Sequence, residues 1–110
     1  MVADLVAARP IHLAIDGIET MAGGEGPWVG GCRRVSSGLL VAGKNCVSTD
    51  AVATALMGFD PMALRGAAPF ERCDSHLDLA EQLGVGTRDL KQIEVAGVSV
   101  EKARFLFRRA

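Results

Sequence analysis

The chain has 110 residues, 49% of them hydrophobic, and 12 basic side chains against 13 acidic ones leave a net charge of −1. That balance argues against nucleic acid as a partner, since phosphate binding needs a basic surface. It also argues against the membrane, because no apolar stretch approaches the ~20 residues of a bilayer span. Three cysteines, Cys32, Cys46 and Cys73, contain no Cys-x-x-Cys pair, so no iron–sulfur cluster or zinc ribbon is expected and a reduced, cytoplasmic chain fits best.

With 5% aromatic residues and no Tyr, packing falls to Ala, Val, Leu and a few Phe. Size scaling gives about 5,800 Å² of surface for one compact domain of this mass. The first ten residues carry Asp4 and lack a long apolar core, unlike a secretory leader.

In chain order, Val2–Ala8 predicts a short helix stopped by Arg9-Pro10. The apolar run Ile11-His12-Leu13-Ala14-Ile15, ending at Asp16-Gly17, predicts a buried strand, with His12 a satisfied core histidine. Five glycines and Pro27 make Met21–Gly31 a loop, with Trp28 packed over it as a lid. Leu39–Ala42 between Gly38 and Gly43 predicts a second strand. A helix capped by Ser48 or Thr49 follows, its apolar stripe running through Val52, Ala55, Leu56 and Phe59 to a stop at Gly58 and Pro61. A short helix over Pro61–Arg65 comes next, then a capping-box-like start at Ser75 and a helix to Gly84. Thr87–Leu90 forms a turn, Ile93–Ala96 a third strand, and Val100–Arg109 a closing helix whose basic run (Lys102, Arg104, Arg108, Arg109) is a solvated face. This alternation predicts one α/β domain: a small open, mostly parallel sheet of about three strands with helices packed on it.

Three clusters can carry chemistry. In an open parallel sheet, ligands gather beyond the carboxyl ends of strands. Asp16, Gly17 and Glu19, with Gly24, Gly26 and Gly30 of the glycine-rich segment, form an acid-and-glycine site there. Its acids suit a divalent cation, and Asp16 is the best candidate for a general base. The pattern matches neither the phosphate loop nor the dinucleotide fingerprint, and a tight turn capped by Asp16 is the alternative. Lys44, Asn45 and Asp50, at a strand-to-helix join, can hold a small anionic ligand, or simply cap the helix. Asp16, Glu19 and Asp50 form one candidate metal set; Cys73, Asp74 and His76 form another, competing with a plain helix cap.

Taken together, His12–Gly30 with its Asp-Gly and Met-x-Gly-x-Gly-Pro-like pattern, Gly38–Gly43 with Asp50–Pro61, and Cys73–Leu77 with Leu83–Thr87 and Ile93–Gly97 resemble domain of unknown function family 362, in the family's order. The resemblance covers nearly the whole chain and implies its C-terminal portion. Longer members have a preceding α/β region, and some carry ferredoxin-like cysteine clusters that this chain lacks. Where many relatives have Gly-x-Asp, this sequence has Gly43-Lys44-Asn45, which removes a carboxylate that a metal site there would use. The family has no settled activity. The expected function is therefore a small-molecule or divalent-cation binding module. The alternative is a structural or oligomerisation domain, a homo-oligomer or one completed by a missing N-terminal region.

Overall fold

The computed structural model describes residues 2–8, 12–23, 28 and 30–106. The elements run α1 (Val2–Ala8), β1 (Leu13–Gly17), β2 (Thr20–Ala22), β3 (Arg33–Val35), β4 (Leu39–Gly43), α2 (Cys46–Leu56), α3 (His76–Gln82), a 3-10 turn (Leu90–Gln92) and α4 (Val100–Ala103).

Two small two-stranded sheets, both antiparallel, stand in place of the open, mostly parallel sheet of about three strands expected above. β1 pairs with β4, Leu13 opposite Gly43 and Gly17 opposite Leu39, and β2 pairs with β3, Thr20 opposite Val35. Both ladders belong to one long hairpin. Between them the outgoing arm has two residues, Ile18 and Glu19, and the returning arm has three, Ser36 to Gly38. One extra residue is the mark of a bulge, and Gly38 supplies the positive φ (69°) such a kink favours. The hairpin narrows again near its tip: a Cβ on Gly23, at φ 92°, would sit 2.6 Å from the Gly31 carbonyl oxygen.

Ile93–Ala96 forms no strand, and Pro61–Arg65 makes turns rather than a helix. The apolar content of Ile93–Ala96 is strand-like, but a strand exists only with a bonded neighbour, and this stretch faces β4 across a cleft.

Alternate residues divide the β1–β4 ladder. Leu13, Ile15, Leu39 and Val41 are half-buried toward α2, while Ala14, Asp16, Leu40 and Ala42 are exposed on the other face. Gly43 lies so close to α2 that a Cβ there would fall 2.1 Å from Thr49 Oγ1. The amide of Gly38 bonds the Ile18 carbonyl (3.1 Å), which fixes the alternation of the antiparallel pattern. Leu40 and Ala42 therefore bond across to β1, and the backbone groups of Leu39, Val41 and Gly43 point to an open edge.

The core lies among the helices. Cys46, Val47 and Ala51 of α2 meet Leu77 and Ala80 of α3, with Ala3, Ala63 and Phe70 around them. Nine of the eleven α2 residues are buried, including Thr49 and Thr54, whose hydroxyls bond back to the carbonyls of Asn45 (2.7 Å) and Asp50 (2.8 Å). Small side chains let α2 be covered on nearly every side. No described helix is long and apolar enough to cross a membrane.

Candidate functional site

The antiparallel hairpin separates the residues that a parallel sheet would have gathered. Asp16 stands opposite Leu40 at the start of β4, whereas Lys44 and Asn45 follow its end. Four residues at about 3.4 Å each put roughly 14 Å of strand between these positions.

Asp16 is exposed, and its Oδ1 accepts from the Ile18 amide (3.1 Å), shaping the bend into the bulge. Glu19 forms an ion pair across the hairpin with Arg34, both side chains exposed. Gly17 packs closely, a Cβ there lying 3.3 Å from the Leu39 carbonyl oxygen, while Gly30 has open space around it. Gly24 and Gly26 lie outside the described residues. Trp28 is 75% exposed, not a packed lid, and His12 is exposed, not a core histidine. His12 precedes β1 on the face that α2 does not cover.

At the start of α2, the cap is Asn45 and not Ser48 or Thr49. Its Oδ1 accepts from the Ser48 amide (3.0 Å), and its Nδ2 donates to the Val85 carbonyl (2.9 Å). Ser48 Oγ donates to the Thr87 carbonyl (2.9 Å). The loop after α3 is thereby stitched to the helix end where an anion was expected. Lys44 alone of this group remains exposed and uncommitted.

Asp50 turns instead to α3. Its Oδ2 lies 2.5 Å from His76 Nε2, and the Phe70 ring meets the imidazole edge-on with centroids 5.8 Å apart. The hydrogen bond His76 donates to Asp50, opposed by burial and reinforced by the carboxylate's charge, raises the His76 pKa above the ordinary imidazole value. This pair can hold a proton at the α2–α3 junction. Its neighbours do other work: Ser75 caps α3 by accepting from the Asp78 amide (3.1 Å), Asp74 pairs with Arg65 (3.3 Å), and Cys73 is exposed and free. Among the described residues, no three His, Cys, Asp or Glu side chains converge as a metal site.

Two features have no counterpart in the sequence reading. The first is Arg88, 6% exposed, whose guanidinium bonds Asp78 (2.8 Å) and Glu81 (3.3 Å) and reaches the carbonyls of Pro61 and Ala63 (3.4 and 3.5 Å). The Arg88 amide also donates to Glu81 (2.9 Å), and these contacts hold the Glu81 carboxyl below its ordinary pKa. Asp78 and Glu81, three apart on one helix, were the available signal. The second is a cleft of about 650 Å³ between β4, α2 and residues 93–98, with Val52, Leu56 and Ile93 in its walls and Lys44 and Glu94 as its charged lining.

Compared with family models, curated proteins and solved structures, the chain matches none of them.

Proposed function

We propose that the chain is an assembly domain, acting by association with another protein surface and without a catalytic centre of its own. One observation carries this reading. β4 (Leu39–Gly43) has apolar residues in both alternating sets, the composition of a strand buried on two faces, and β1 (Leu13–Gly17) adds Ala14 beside Asp16 on the same outer face. In the fold α2 covers one face, while Ala14, Leu40 and Ala42 stay exposed on the other and β4 keeps an open edge. Open edges and uncovered apolar faces are surfaces that association removes from water. Sedimentation velocity from about 10 μM to about 1 mM is the test, a range that captures weak complexes. Mass that rises with concentration, or on adding a binding protein, supports the reading; a monomer that captures nothing sinks it.

The cleft beside β4 favours a second reading, the small-molecule binding module. About 650 Å³ lies within the range of ligand pockets, and Lys44 at its rim suits an anionic group on a largely apolar molecule. A thermal-shift screen of small aliphatic carboxylates tests it, because a ligand of the native state alone must raise the melting temperature. Divalent cations are the weaker form of this reading, since Asp16 and Asp50 are engaged separately. Membership of domain of unknown function family 362 is likewise a proposal, carried by the motif segments themselves.

A further inference from the structure

We infer that the uncovered face of the β1–β4 ladder is a homodimer interface, with Leu40 of each copy seated in a dent beside Ala14 and Ala42 of the other. This rests on the association reading and names its surface and its partner.

The face carries three cross-strand rows. His12 and Lys44 form one end by continuation of the ladder register, Ala14 and Ala42 the middle, and Asp16 and Leu40 the other end. Leu40 is 70% exposed and stands up as a knob. A shallow dent of about 420 Å³ lies at the His12 end of the ladder, lined by His12, Leu13, Ala14, Ala42, Gly43 and Lys44. Knob and dent lie about three residues apart along the strand, roughly 10 Å.

A two-fold axis lying between the faces and perpendicular to the strands reverses the second copy. Each knob then meets the other copy's dent, and each Asp16 meets the other copy's His12 and Lys44. Both contacts are made twice, as an isologous interface requires. An axis along the strands would instead bring the Lys44 ends of the two copies together and set Asp16 against Leu40, leaving the carboxylate without a cation. Charge complementarity therefore selects both the second copy as occupant and its orientation. The face is small, two strands of five residues, so the dimer belongs to the weak class.

The test uses the whole chain in sedimentation equilibrium up to about 1 mM, with circular dichroism as a folding control. Leu40→Asp and Ala42→Trp, both at exposed positions, are each expected to weaken the dimer about tenfold or more with unchanged spectra. Asp16→Lys and Lys44→Asp are each expected to weaken it about threefold to tenfold, and their combination to restore it. Losses that simply add overturn the orientation. A dimer that survives both Leu40→Asp and Ala42→Trp overturns this face but leaves the association reading standing. A wild-type monomer throughout overturns the second copy as the occupant.

Discussion

Between α2 and α3 a set of small and apolar residues is buried, although Leu79 and Leu83 stay exposed, and polar ones are cross-tied: Arg88 clasps α3 to residues 61–63, and Asn45 ties α2 to the loop at Val85. Along β1 and β4 no residue is fully buried, and one face lies bare. The same chain thus contains a closed half, which supplies its own stability, and an open half, which leans on the first through Leu13, Ile15, Leu39 and Val41. Small residues produce both outcomes. Ala51 and Ala80 let helices approach and seal a core, while Ala14 and Ala42 leave a sheet surface too shallow to seal anything.

Substitutions should break the two halves unequally. The largest effect belongs to Leu77→Ala, 1% exposed in the helical core, with about 3 kcal/mol lost in urea unfolding. Arg88→Ala should follow at about 2–3 kcal/mol, below the full cost of breaking a buried pair because Asp78 and Glu81 keep some contact with water. Arg88→Lys should recover little of it, since an ammonium cannot reproduce the fork of contacts. Asn45→Ala removes a helix cap and the tie to Val85, and about 1–2 kcal/mol is expected by thermal melting.

Smaller still is the contribution of the His76–Asp50 pair, which is half-exposed. Because the folded-state pKa of His76 is raised, its stabilisation is fully present below the unfolded value near 6.5 and is lost as pH rises through the folded value. Asp50→Asn should flatten that dependence, read as melting temperature against pH. Glu81 behaves oppositely: its pKa is lowered, so its contribution stands above the ordinary carboxylate range and disappears as pH falls through the folded value. Last comes Leu40→Ala, where a dilute monomer should change by no more than about 0.5 kcal/mol. A large loss there would mean the open half is sealed by contacts of its own.

The closed half was the more legible in sequence. The bounds of α1 match the helix read at Val2–Ala8, and Ser75 and Gly58 act as cap and stop as their residue types require. Ser48 and Thr49 lie three and four residues past the true cap, Asn45, because the stripe begins visibly at Val52, whereas Cys46 and Val47 enter the core ahead of it. Pairing direction was not legible. β2 and β3 have three residues each, and Arg33 and Arg34 hide the second, so the hairpin resembled a bare glycine loop between separate strands. Without that hairpin the alternation of elements implies a parallel sheet, and with it a site joining Asp16 to Lys44 that the antiparallel ladder pulls apart. Arg88 itself carries no periodic signal: the Asp78–Glu81 spacing marks a place for a cation on α3, and only the tertiary fold delivers Arg88 to it together with the carbonyls of Pro61 and Ala63.

The open edge of β4 has a consequence in solvent exchange. Amides of Leu40 and Ala42 bond to β1, while those of Leu39, Val41 and Gly43 face outward, so protection against deuterium should alternate residue by residue along one strand. Association through the bare face would leave that alternation intact, whereas a partner strand added at the edge would erase it.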